Sequence, residues 1–285
     1  MAEYIIKNES LTAKFDSFGA ELKNVKSTGG KEYIWYGDEK IWSGTAPVLF
    51  PICGGLKDDK YTYNGKEYTL PKHGFARKSE FIAETVKSDE IVFLLTESEE
   101  TLKLYPFYFQ LRIKYKLIKN SLRVEYSVNN TSSDTMYFSI GAHEAYLCPE
   151  GIEEYSVEFE KAENLDSWVL DGNMLNNKTV RIAENTRFLP LKYEYFDIDA
   201  LVFKHLNSNK VLLKNNTNTI TVEFDGFDYF LLWTKPKANA PYMCIEPWCG
   251  IPNSVDSTYE LSEKEGIISL ESDKEITKIH TITFA

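Results

Sequence analysis

QLRIKYKLIKNSLRVEYSVNN, residues 110–130, alternates twice over. Leu111, Ile113, Tyr115 and Leu117 share one side of an extended chain, and Arg112, Lys114 and Lys116 share the other. That is the period of a half-buried antiparallel strand. After Lys119-Asn120 the alternation resumes with Leu122, Val124, Tyr126 and Val128. Two polar residues between two such runs predict a hairpin turn.

The same period recurs outward in both directions. YIIKNESLTAKF near the start reads as strand, turn at Asn8-Glu9, strand. EIVFLLTES, YSVEFE, ALVFKHL, KVLLKNN, TITVEF, YFLLWT, YMCIEPW and KIHTITFA read as further strands, with turn clusters such as STGGKE, NNTSSDT and NNTNT between them. Helical period is scarce: SEETLKLYPF fits one or two turns before Pro106, and SEKEG one more. No linker, charge block or internal repeat divides the chain. The expectation is one all-β domain over residues 1–285, a large antiparallel β-sandwich. So many strands must close or stack to hide their edges.

Composition narrows the partners. A net charge of -11 opposes nucleic acid and anionic membrane surfaces, which need Lys and Arg. It leaves a neutral small molecule open. The opening MAEYIIKNESLTAKF has neither a basic stretch nor a long apolar run, which predicts no signal peptide and a cytoplasmic protein. Monomer and homodimer stay equally open. Cys53, Cys148, Cys244 and Cys249 lack CxxC spacing, so free buried thiols are expected and no metal.

Some stretches break the alternation. PKHGFAR places Lys72, His73 and Arg77 around Gly74, downstream of Gly54-Gly55. IGAHEAYLCPE puts His143 at a strand end. DIDALVF carries Asp197 and Asp199 into a strand. CIEPWCG sets Glu246 among Ile245, Pro247 and Trp248, and NSVDS is a polar turn with Asp256. Each has a plain alternative. A strand-end histidine is commonly structural, Arg77 fits a surface ion pair, and Trp248 fits either core packing or a flat face for a sugar ring. Glu246 resists the plain reading, because a carboxylate with such neighbours is at least partly buried. His205 and His280 fall inside ordinary alternation and read as structural. No G-x-S-x-G elbow, P-loop or dinucleotide fingerprint occurs. One histidine and one carboxylate suffice for acid–base chemistry without a cofactor.

FPICGGLKDDKYTYNGKEYTLPKHGFAR (50–77), SIGAHEAYLCPE (139–150) and YMCIEPWCGIPNS (242–254) together resemble the aldose 1-epimerase (mutarotase) family, most closely its LacX-like branch. The similarity runs in order along nearly the whole chain. It implies the galactose mutarotase-like supersandwich fold and interconversion of the α and β anomers of a free hexose, with no cofactor. By resemblance His143 is the general acid, Glu246 the general base, His73 a second sugar-contacting histidine and Asp199 a hydroxyl-binding carboxylate. Asp197, two residues away and expected on the same face, competes for that last role. Many family members carry a sugar-holding arginine where this chain has Gly55; Lys57 and Arg77 are the substitutes in reach. Two further readings follow: a hexose-6-phosphate mutarotase with Lys57, Lys72 and Arg77 on the phosphate, and a non-catalytic carbohydrate-binding protein.

Overall fold

The 110–130 hairpin is where the fold begins to close. A computed structural model describes residues 2–285. It pairs Phe109–Ile118 with Ser121–Asn130 in unbroken antiparallel register. Lys119 turns the corner in the left-handed region, at φ 53°. Leu111, Ile113, Tyr115, Leu117, Leu122, Val124, Tyr126 and Val128 are all buried, as the alternation requires. Each such side chain contributes about 1.5–3 kcal/mol by leaving water.

This hairpin sits inside a fourteen-stranded, wholly antiparallel sheet. From one edge the order is Ile140–Gly141, Tyr242–Cys249, Tyr229–Trp233, Leu201–Lys204, Ser156–Asp171, Lys210–Lys214, Thr219–Glu223, Glu275–Phe284, Ser121–Asn130, Phe109–Ile118, Glu90–Thr96 and Ile82–Val86. Glu144–Leu147 also pairs with Tyr242–Cys249, and Met174–Pro190 with Ser156–Asp171. A three-stranded sheet, Glu3–Lys7, Leu11–Asp16 and Glu21–Ser27, covers the hairpin's buried face. Phe15 packs on Tyr115 at 4.6 Å, and Tyr115 Oη donates to the Ala20 carbonyl at 2.9 Å.

The long strand Ser156–Asp171 makes the bend that creates two layers. Its first residues pair with Lys210–Lys214, whereas Trp168 pairs with Val202. Register shifts lie between. Glu163, buried in that interval, accepts from the Asn207 and Ser208 backbone N–H groups and from both their side chains, at 2.7–3.2 Å. A buried carboxylate saturated in this way fixes the bulge.

Two helical turns overlap the stretches the sequence marked, and the 3₁₀ turns Lys57–Asp59, Ala76–Lys78, Ile152–Glu154 and Tyr193–Phe196 were not marked. Glu99–Leu104 is a short helix capped reciprocally by Ser98 and Thr101, and Leu261–Glu263 is a 3₁₀ turn. No helix among the described residues is long and apolar enough to cross a membrane.

One strand positions the site. Tyr242–Cys249 is buried on both faces. Met243, Ile245 and Cys249 point into the main core. Tyr242, Cys244 and Trp248 point the other way, into two smaller apolar clusters. Strand alternation puts Glu246 on that second face, at the floor of a cavity.

Candidate active site

His143 reaches Glu246 through strand register. Gly141 lies opposite Trp248, and Glu144 opposite Ile245, in one continuous pairing. His143 therefore falls opposite Glu246, where side chains on one face stand closest. Its Nε2 lies 3.4 Å from Glu246 Oε2. His143 is 9% exposed and Glu246 2%. Gly141 permits this approach: a Cβ there would stand 2.6 Å from the Trp248 ring. Trp248 Nε1 in turn donates to the Ala142 carbonyl at 2.9 Å, tying the residue before His143 to the same strand.

Aromatic rings hold the imidazole. Trp42 stacks on His143 at 5.3 Å, and Trp233 meets it edge-on at 5.6 Å. His73 stands 5.9 Å from His143 and 5.5 Å from Trp248, nearly perpendicular to both. The His73 backbone is left-handed, at φ 67°. That turn lets its N–H donate to the Gly54 carbonyl (2.9 Å) while its Nδ1 accepts from the Gly54 N–H (3.1 Å). A backbone N–H only donates, so the neutral ring carries its proton on Nε2. Burial, then the nearby His143, keep the His73 pKa well below the usual imidazole value. His73 is thus a fixed, uncharged hydrogen-bond donor.

Of the residues singled out from the sequence, His73, Arg77, His143, Asp199, Glu246 and Trp248 line one cavity of about 340 Å³. That is the small end of the range for ligand sites, about 300–1,000 Å³. Asp199 lines it and sits 3.8 Å from Lys72 Nζ. Asp197 is not among the residues lining the cavity. It ends the 3₁₀ turn Tyr193–Phe196, and the strand starts only at Leu201, so strand alternation does not apply to the pair. Arg77 donates to the Lys72 carbonyl at 2.9 Å, and its buried Nε has no partner. Lys57 is not among the lining residues; it lies over the Tyr259 ring. Asp256 pairs with Asn177 at an exposed position.

Trp42, Trp233, Lys235 and Asn173 also line the cavity and carried no local sequence signal. Asn173 explains Gly55. A Cβ on Gly55 would lie 2.6 Å from the Asn173 Cβ and 2.8 Å from its carbonyl oxygen. The tip of the hairpin between Ser156–Asp171 and Met174–Pro190 therefore occupies the space a longer side chain at 55 would need. Cys244, two residues before Glu246 on the same strand face, is also close. Its thiol, a His143 ring nitrogen and a Glu246 oxygen all lie within 4.8 Å of one another.

Burial sets the electrostatics. It raises the Glu246 pKa well above the carboxylate range; the Asp199 charge adds to this and Lys72 opposes it. Burial also lowers the His143 pKa, to about 3, with Lys72 and Arg77 contributing. Both charged forms are disfavoured, so the pair holds one proton between them around neutral pH. Two groups able to exchange that proton stand side by side, under a cavity lined by a neutral donor, a carboxylate, cations and indole rings.

The family model described as aldose 1-epimerase matches residues 3–282. The chain is 35% identical to the plasmid-encoded protein LacX of Lactococcus lactis subsp. lactis, across 96% of this chain and 93% of that protein. Its fold matches a galactose mutarotase related enzyme from Lactobacillus acidophilus at TM-score 0.95 and 34% identity, covering 100% of this chain and 97% of that one. A galactose mutarotase-like protein from Lactobacillus casei ATCC 334 matches at TM-score 0.95 and 26% identity, covering both chains fully. The large antiparallel architecture is thus the galactose mutarotase-like fold, and the chain belongs to the aldose 1-epimerase family.

Proposed function

We propose that this protein interconverts the α and β anomers of a free aldose, with His143 and Glu246 as its acid–base pair. The observation that carries the reading is their facing geometry, 3.4 Å apart at the floor of a sugar-sized cavity. The shared proton first passes from Glu246 to His143 across the 3.4 Å between them; in that form Glu246 takes the proton of the C1 hydroxyl as His143 gives one to the ring oxygen. The C1–O5 bond breaks, the open aldehyde turns about C1–C2, and the ring closes on its other face with the roles reversed. One shared proton suffices, because each half-reaction returns what the other consumed.

The remaining residues bind and orient. His73 Nε2–H donates to a sugar oxygen, Asp199 accepts from hydroxyls, and Trp248 offers an apolar ring face. Trp42 and Trp233 keep the His143 ring from rotating away. No step here draws on a metal or organic cofactor. The test is polarimetry of freshly dissolved α-D-glucose and α-D-galactose. The wild type accelerates mutarotation and Glu246→Gln does not. A wild type no faster than buffer on either sugar would sink the reading for free hexoses.

A second reading has its own observation: Lys72, Arg77 and Lys235 line the same cavity. Three cations suit a phosphorylated sugar. On that reading Arg77→Ala weakens hexose 6-phosphate binding strongly and free-sugar binding little, as measured by NMR exchange.

A further inference from the structure

Cys244 has no part in the proposed proton transfers, yet its thiol lies within 4.8 Å of the groups that make them. It lies on the same strand face as Glu246, fully buried, and its thiol completes a cluster with His143 and Glu246. Among the described residues this is the group of metal-binding side chains close enough to share one ion.

We propose that His143, Cys244 and Glu246 form a site for a soft divalent transition-metal ion such as Zn²⁺, which when bound switches the acid–base pair off. The donor set is the first argument. Imidazole, thiolate and carboxylate are the three ligand types zinc takes from proteins, and a thiolate selects against Mg²⁺ and Ca²⁺. Distance is the second. Tetrahedral zinc with bonds of about 2.0–2.2 Å holds a nitrogen and an oxygen ligand about 3.4 Å apart. His143 Nε2 and Glu246 Oε2 stand 3.4 Å apart already. The sulfur, within 4.8 Å of both partners, needs a shift of about 1 Å, within reach of a one-torsion side chain. The cavity leaves the fourth position open to water or a sugar hydroxyl.

Charge is the third argument. Binding releases the thiol proton and the proton shared by His143 and Glu246 to solvent. One thiolate and one carboxylate then balance the dication, replacing the water that burial denies them. With its lone pair on the metal, His143 neither gives nor takes a proton, and Glu246 is likewise engaged. The inhibitory consequence rests on the proposed function; the binding itself does not.

The experiment uses the full chain after chelator treatment. Co²⁺ is followed by absorbance, and Zn²⁺ by calorimetry against a competing chelator. The expected result is one ion per chain, with a thiolate-to-cobalt charge-transfer band and the intense d–d bands of a tetrahedral site. Cys244→Ala loses the charge-transfer band and weakens Zn²⁺ by more than about 100-fold, since even outer-shell changes at metal sites cost about 10–100-fold. Mg²⁺ gives no heat. Cys53, Cys148 and Cys249 remain in the variant as controls, and Cys244→Ser repeats the test should alanine disturb folding by circular dichroism. The Zn²⁺ concentration that stops mutarotation in the wild type slows Cys244→Ala far less, each rate being taken relative to that protein's own metal-free rate. Absence of the band, or equal Zn²⁺ affinity in the variants, overturns the site while fast mutarotation still supports the function. A thiolate band in a protein that accelerates no sugar overturns the function and leaves the site standing.

Discussion

His143 and Glu144 are neighbours in the chain and face opposite ways. Each makes a His–Glu pair. On the cavity side His143 meets Glu246 at 3.4 Å; on the core side Glu144 meets His280 at 3.0 Å. Even the surroundings match. Trp42 stacks on His143 with Trp233 at its edge, and Tyr126 stacks on His280 with Phe227 at its edge. The difference lies in access. The first pair floors a cavity with Asp199, Lys72 and Arg77 around it. The second is sealed, with Glu144 3% and His280 1% exposed. On the proposed function, the same two residue types serve as reagents in one place and as a cross-sheet tie in the other. An acid–base pair is defined by what reaches it, not by its composition.

The comparison breaks most sharply in rates. His143→Gln and Glu246→Gln each slow mutarotation by about 10²–10⁴-fold, the usual worth of a positioned acid or base. Glu144→Gln leaves the rate within a few-fold of wild type. A Glu144→Gln rate as low as that of Glu246→Gln, with an unchanged circular dichroism spectrum, would erase the distinction.

The pH profile comes next. On the proposed function, the cavity pair works while it holds one proton. With burial lowering His143 to about 3, the acid limb of kcat/KM falls well below the ordinary imidazole value of about 6.5. With burial raising Glu246, the alkaline limb falls well above the ordinary carboxylate value of about 4.3. An acid limb near pH 6.5 would mean that His143 is solvated in the working enzyme.

Stability runs the other way. Glu144→Ala leaves the buried His280 ring without its partner and costs about 1–3 kcal/mol in urea unfolding. Glu246→Gln has the opposite sign and the smallest effect. Glu246 titrates higher folded than unfolded, so its ionisation costs stability once the pH exceeds the unfolded value. Glu246→Gln therefore raises Tm at pH 7, and the gain disappears as the pH falls through the unfolded carboxylate pKa. A lower Tm for Glu246→Gln at pH 7 would show its carboxylate to be a net stabiliser, like that of Glu144.

Local alternation was legible wherever one face is buried. It read the 110–130 hairpin residue by residue and picked out Glu246 as a carboxylate within an apolar strand. It read only the start of Ser156–Asp171 and missed Met174–Pro190, most of whose residues are exposed and show no two-sided pattern. His143 stood out as a scarce residue at a strand end. That it faces Glu246 depends on a pairing between segments about a hundred residues apart, which no local pattern carries. Trp42, Trp233 and Asn173 were illegible for the same reason. Asp197 was misjudged because a 3₁₀ turn, not a strand, precedes Asp199.

Gly55 and Asn173 form one exchangeable module rather than two positions. Because the hairpin tip fills the volume beside Gly55, grafting an arginine there fails unless the tip is shortened in the same step. On the proposed function, changing the length of this hairpin changes the space beside the sugar and leaves His143 and Glu246 untouched. For an engineer, the hairpin is then the handle for changing which sugar is accepted without redesigning how it is turned over.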